Sequence, residues 1–349
     1  MPAQKIFRAH GANPEKLYEA AGLPLPPGEK ILDFSTSTNV LPWGGELDID
    51  VEHCLSAYPD DEATELRAIV ATKEECSPEN VLFVNGSNEA IYLAASFFGG
   101  KKAAVLQPSY GEYLRALSAY GANVRNVFSL GALEDSDVLF LCNPCNPTGE
   151  HVDTAKLEAF FAGAPDTLFV VDEAYVDFLI GPRGARPQSK IDFLRHKNVV
   201  ILRSLTKIFH LCGARLGYVL ACSKCIEQLR LRQPTWSINA LAQAAGAAFM
   251  RDESFICRTR EFYALETPRF IASLSDSGFA VRPTETNFFL IETADDLNLI
   301  RSLLGRGIVV RHTRNFPGLD GRYIRVATRM PEENDFFVRA LLDTEEQLR

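Results

Sequence analysis

Between residues 81 and 221, short apolar runs alternate with segments of helical period. Runs at 81–84, 103–107, 138–142, 168–172, 199–202 and 216–221 are rich in β-branched and aromatic residues and carry almost no charge. Such runs read as strands buried on both faces, the pattern of a largely parallel sheet. The intervening segments 88–98, 112–120 and 154–161 place apolar residues at helical spacing. Strand–helix alternation of this kind predicts an α/β domain with helices covering the sheet. Active groups in such sheets collect at the C-terminal ends of the strands.

Beyond Gln233 the rhythm changes. An Ala-rich helical stretch follows Asn239, then a helix over 261–275. Strands at 287–292, 308–311 and 323–328 and helices at 297–305 and 332–348 complete a smaller α+β unit. The expected organisation is an N-terminal segment 1–45 near the active site, a large α/β domain 46–235 and a small C-terminal domain 236–349. A chain of 349 residues suits one large and one smaller domain.

Charge and cysteine usage narrow the function classes. Lys and Arg total 36 against 45 Asp and Glu, a net charge of −9. Nucleic-acid binders need a basic surface to displace counterions, so that class is disfavoured. A local basic pocket for one small anion remains open. No apolar run approaches the ~20 residues of a membrane span, and residues 1–30 lack the apolar centre of a signal peptide. The expected location is the cytoplasm, with no membrane partner. The eight cysteines include two C-x-x-C pairs, Cys142/Cys145 and Cys222/Cys225. A four-thiolate zinc site needs pairs closer in sequence than these, so reduced thiols are expected and no metal.

The chemistry is concentrated at four strand ends. Asn85-Gly86-Ser87-Asn88-Glu89 links a strand to a helix, where a glycine turn and free N–H groups make an anion cradle. Asn143-Pro144-Cys145-Asn146-Pro147-Thr148-Gly149 follows the run 138–142, and its two Asn-Pro steps aim an Asn side chain across the strand ends. Asp172-Glu173-Ala174-Tyr175 puts a carboxylate after four apolar residues, where it needs a cationic partner such as a protonated pyridine. An ordinary ion pair with an arginine would also satisfy it. Ser204-Leu205-Thr206-Lys207 is followed by Arg215, and the two hydroxyls with the guanidinium would clamp a phosphate. Pyridoxal phosphate needs such parts: a phosphate cradle, a ring-nitrogen partner, donors to its phenolic oxygen and an amine.

In the order and spacing of these motifs the chain resembles fold-type I pyridoxal-phosphate enzymes of the class I/II aminotransferase family. Finer motifs resemble the L-threonine-O-3-phosphate decarboxylases of cobalamin biosynthesis within it. These are His10-Gly11-Ala12-Asn13, Tyr58-Pro59-Asp60, Trp236-Ser237-Ile238-Asn239, Asn315-Phe316-Pro317-Gly318-Leu319-Asp320 and Arg322-Tyr323-Ile324-Arg325. Histidinol-phosphate aminotransferases share much of the pattern and give the alternative activity; a non-catalytic cofactor-binding regulator is a remote third.

The resemblance implies roles. Lys207 would carry the cofactor on its amine and Asp172 would keep the ring nitrogen protonated. Asn146 and Tyr175 would donate to the phenolic oxygen, and Tyr110 would stack on the ring. Ser87, Asn88, Ser204, Thr206 and Arg215 would hold the cofactor phosphate. Tyr58 would reach the partner's cofactor in a homodimer with shared sites. His10, Ser37, Asn39, Arg311 and Arg325 would meet a small amino-acid phosphate. One stretch departs from the decarboxylase pattern Phe-Ser-Ala-Asn-Ile-Asn-Pro-Leu-Gly. This chain reads Phe34-Ser35-Thr36-Ser37-Thr38-Asn39-Val40-Leu41-Pro42. Ser37 replaces the first Asn, which leaves open a change in phosphate recognition and a choice between phosphothreonine and phosphoserine.

Overall fold

The computed structural model describes residues 11–26, 31–133, 135–179 and 191–348. Its strands are β1 Leu32–Asp33, β2 Val81–Val84, β3 Lys102–Leu106, β4 Asn123–Val127, β5 Val138–Cys142, β6 Leu168–Asp172, β7 Val199–Ser204, β8 Gly217–Ala221, β9 Phe288–Glu292, β10 Ile308–Val309, β11 Arg311–His312 and β12 Tyr323–Ala327.

Seven strands form the large sheet in the order β2-β8-β7-β6-β5-β3-β4. Because successive side chains point to opposite faces, a run with no polar residue must be covered twice. Phe83, Leu139 and Leu141 face one apolar cluster, and Leu82, Val138 and Phe140 face another on the opposite side. Helices Gly86–Ala95 and Glu112–Ala119 pack over the second cluster. Helices Thr64–Glu74 and Thr154–Gly163 pack over the first.

The sheet corrects the sequence reading at two places. The run 216–221 is not a parallel strand, since β8 lies antiparallel to both β2 and β7. Strand β4, unread in the sequence, pairs parallel with β3 at the edge. Its Asn123, Arg125 and Asn126 are exposed, so it never needed the continuous apolar run that marks an inner strand.

The C-terminal unit is built on the antiparallel sheet β11-β12-β9 with helices Glu253–Asp276, Asp296–Gly305 and Pro331–Leu348 around a core of its own. The run 308–311 is two strands rather than one. β10 pairs parallel with β1, whereas β11 pairs with β12. The N-terminal segment is tied to this unit, since Tyr18 also donates its hydroxyl to the Leu304 carbonyl at 2.7 Å. Asn239 caps the helix Ala240–Arg251 by accepting the Ala242 N–H at 2.8 Å. Among the described residues no helix is long and apolar enough to cross a membrane.

Candidate active site

The C-terminal ends of β5, β6 and β7 open into one cavity. Its wall holds Ser87, Asn88, Tyr110, Asn146, Asp172, Tyr175, Ser204, Thr206, Lys207 and Arg215. Ten residues from five separate stretches of sequence therefore meet in one place. Tyr110, Asn146, Tyr175 and Lys207 also line an adjoining cavity, which holds Ser37, Arg311, Asn315 and Arg325.

Each side chain is aimed by local structure. Asn85 leads into the helix Gly86–Ala95, whose first turn presents Ser87 and Asn88. Gly86 sits at φ +71°, and a Cβ there would come within 2.7 Å of the Arg215 guanidinium. Glycine lets the backbone make this turn and lets Arg215 close against it. Opposite, Thr206 and Lys207 lie on the single helical turn Leu205–Ile208 that ends β7. The Asn88 Oδ1 and Thr206 Oγ1 atoms are buried with no protein partner. Orphaned polar atoms beside a guanidinium and a helix start fit a bound phosphate group.

Asp172, the last residue of β6, is buried. Burial pushes its carboxyl pKa up; the Tyr113 hydroxyl, the Ala174 N–H and the Lys207 charge pull it back down. Tyr113 donates to Asp172 Oδ2 at 2.7 Å and the Ala174 N–H to Oδ1 at 3.0 Å. The arginine partner that an ordinary ion pair would require goes to the next residue, since Arg203 meets Glu173 at 2.9 Å. Asp172 is thus oriented by neutral donors and left to face the cavity. Tyr113 is the residue that sequence reasoning missed. A tyrosine at an apolar position of a helix reads as core, and nothing in its local pattern points to β6. Tyr113→Phe is expected to keep the cofactor but lower kcat about 10- to 100-fold, since a hydrogen bond to a charged group is worth about 1.5–3 kcal/mol. Steady-state kinetics with a cofactor absorbance titration checks this.

Asn146 accepts a hydrogen bond from Arg325 Nη1 on its Oδ1 at 2.5 Å. With the oxygen so engaged, its amide nitrogen is the donor left for the cavity. Arg325 also donates to the Ser35 carbonyl and lies 5.4 Å from the centre of the Phe288 ring. Arg311 donates to Asn315 Oδ1 at 2.8 Å. Burial and the neighbouring Arg325 charge pull the Arg311 guanidinium down to about 9. Burial lowers Arg325 as well. An anion beside these two buried guanidiniums would offset their burial and the Arg325 charge felt by Arg311. Ser37 Oγ, buried and without a partner, faces the same cavity.

Two expected residues lie elsewhere, and a third is not among the described residues. Asn39 does not line either cavity. Its amide donates to the Ile208 carbonyl at 2.9 Å and to Thr259 Oγ1 at 2.8 Å, and its Oδ1 accepts the Leu41 N–H. With its donors and acceptor spent on the fold, Asn39 pins the loop beside Lys207, whose carbonyl accepts the Asn39 N–H at 2.9 Å. Tyr58 is 81% exposed and rests on Trp236 with ring centres 4.6 Å apart. It is absent from its own chain's cavity. His10 falls outside the described residues. The cysteine pairs form no common site: Cys142 and Cys145 donate to the Pro144 and Pro108 carbonyls, and no metal-ligating cluster occurs among the described residues.

Comparison with known proteins bears on this geometry. The family model for aminotransferase class I and II matches residues 46–341. The chain belongs to this family. A threonine-phosphate decarboxylase of Salmonella typhimurium is 32% identical over 95% of either chain. A histidinol-phosphate aminotransferase of Moorella thermoacetica is 31% identical over 81% of this chain and 77% of its own. The crystal structure of L-threonine-O-3-phosphate decarboxylase from Porphyromonas gingivalis superposes with a TM-score of 0.79 at 28% identity, covering 90% of this chain and all of that one. The family member described here therefore has the fold-type I architecture expected from its sequence, a mostly parallel sheet with a smaller C-terminal unit. Its cofactor is pyridoxal phosphate, which the cavity's donors fit.

Proposed function

We propose that this enzyme decarboxylates L-threonine O-3-phosphate to (R)-1-aminopropan-2-yl phosphate and carbon dioxide, for cobalamin assembly in the cytoplasm. The observation that carries the reading is the pair of buried guanidiniums, Arg311 and Arg325, in a cavity shared with Lys207. A substrate bearing a carboxylate and a phosphate offers two anions that such a pair can bind.

Bound pyridoxal phosphate supplies an electron sink for the pair released when a bond at the substrate's Cα breaks. Lys207 would hold the cofactor through Nζ, and Ser87, Asn88, Ser204, Thr206 and Arg215 would hold its phosphate. Asp172 would keep the proton on the ring nitrogen. Asn146 Nδ2 and the Tyr175 hydroxyl would donate to the phenolic oxygen, with Tyr110 against the ring. Arg325 touches Asn146, which borders both cavities, so it is the guanidinium for the nearby carboxylate. Arg311 lies with Asn315 and Ser37 in the outer cavity and would take the more distant phosphate. Lys207 Nζ would return a proton to Cα after the loss of carbon dioxide.

We further propose the chain divides into segment 1–45, a large domain 46–235 and a small domain 236–349. It would act as a homodimer in which the exposed Tyr58 reaches the partner's cofactor. Light scattering at assay concentration is expected to give twice the chain mass; a fully active monomer would refute the shared site.

The deciding assay incubates the holoenzyme with L-threonine O-3-phosphate and no keto acid. Sustained release of carbon dioxide and amine phosphate is expected. Turnover that begins only when 2-oxoglutarate is added would instead make the enzyme an aminotransferase. Arg311→Ala is expected to lower kcat/KM for the phosphorylated substrate about 10- to 100-fold, the worth of one charge-assisted hydrogen bond. Equal activity on unphosphorylated threonine would overturn the phosphate assignment.

A further inference from the structure

A second cavity, of about 760 Å³, opens at the other end of the large sheet. Leu168 and Val200, at the starts of β6 and β7, form part of its apolar floor. Lys101, Lys197 and Lys224 stand around it, and Cys222 and Cys225 share its wall. The two sulfurs lie 3.4 Å apart, in direct contact. Cys222 is the N-cap of the helix Ser223–Arg230, and the Cys225 N–H closes the first turn onto the Cys222 carbonyl at 2.9 Å. Both thiols also point at one acceptor, the Lys197 carbonyl, at 3.7 and 3.8 Å. The chain thus presents a vicinal dithiol on a helix start, beside an open cavity whose wall carries three lysines and two aspartates, Asp137 and Asp166.

We propose that Cys222 and Cys225 form a thiol–disulfide exchange site that reacts with a low-molecular-weight disulfide entering this cavity. Burial and the hydrogen bond from Cys222 push the Cys225 thiol up to about 12. Cys222, the helix N-cap on the cavity wall, is assigned as the attacking sulfur. Its thiolate attacks one sulfur of the incoming disulfide. That S–S bond breaks, and the departing thiolate takes up a proton, leaving a mixed disulfide on Cys222. Cys225 then gives up its proton and attacks the Cys222 sulfur, and the second small thiol leaves protonated. One external disulfide is reduced to two thiols, and two protein thiols are oxidised to one bond.

The test uses the holoenzyme and oxidised glutathione. Lys224 lies between the two cysteines, so trypsin separates 216–224 from 225–230 in the reduced protein. After treatment those peptides are expected to run as one disulfide-linked species, with two free thiols lost per chain and regained on addition of dithiothreitol. In Cys225→Ser the glutathione adduct is expected to accumulate on Cys222. In Cys222→Ser position 225 is expected to stay unmodified. Two independent adducts, on Cys222 and Cys225, would overturn the proposal. So would a pair that stays reduced while the exposed Cys212 and Cys257 react.

Discussion

Lys207→Ala is expected to remove activity almost entirely, by about 10⁴-fold or more, because proton transfer by a positioned side chain alone contributes about 10²–10⁴-fold. On the proposed reading the same change also removes the amine that anchors the cofactor. Among the described residues lining the two joined cavities, Lys207 is the one lysine, so no neighbour can substitute. The fold should survive, since the contact made here by residue 207 to Asn39 uses its backbone carbonyl and not its ammonium. Borohydride reduction offers a readout independent of turnover. It should fix the cofactor to the wild-type peptide carrying Lys207 and leave the variant unlabelled. Equal fixation on both proteins would place the anchoring amine elsewhere.

Asp172→Asn is the second large effect. The substitution keeps the shape of the side chain and removes its charge. The new amide can present its oxygen to the Ala174 N–H and its NH₂ to the Tyr113 oxygen, which can accept as well as donate. Folding and cofactor binding are therefore expected to persist. What is lost is the negative charge that, on the proposed reading, keeps the proton on the ring nitrogen. Removing one partner of a buried charge pair costs about 3–5 kcal/mol, or roughly 10²–10⁴-fold in rate. Near-normal kcat with a normal cofactor spectrum would make Asp172 a structural residue.

The two variants probe groups of unequal visibility in the sequence. Asp172 and Lys207 could be read because the first ends a buried apolar strand and the second follows one by three residues, where a charge has no structural purpose unless something meets it. The inner strands were legible for the same reason: a run covered on both faces leaves no room for polar residues. β4 escaped because an edge strand obeys neither constraint. Tyr113 escaped because a buried tyrosine and a carboxylate-orienting tyrosine have the same local pattern; only the approach of its ring to Phe140 and of its hydroxyl to Asp172 tells them apart. Asn39 shows the converse error. A polar residue within a recognisable motif drew a binding role, yet its amide is consumed by Ile208 and Thr259. Asn315 stood in the quoted Asn-Phe-Pro-Gly stretch, but its contact with Arg311 depends on the turn between β11 and β12. Tyr58 stays exposed against Trp236, outside the cavity of its own chain.

Arg325 belongs to β12, grips Asn146 from the loop after β5, and holds the carbonyl of Ser35. Three stretches far apart in sequence are fastened by one guanidinium. Chimeras between family members will feel this. A crossover anywhere between Ser35 and Arg325 can preserve every residue type in the site and still join partners that were never fitted to one another. Grafts that exchange the N-terminal stretch, the Asn-Pro loop and β12 as a set are the ones that should inherit a working anion site.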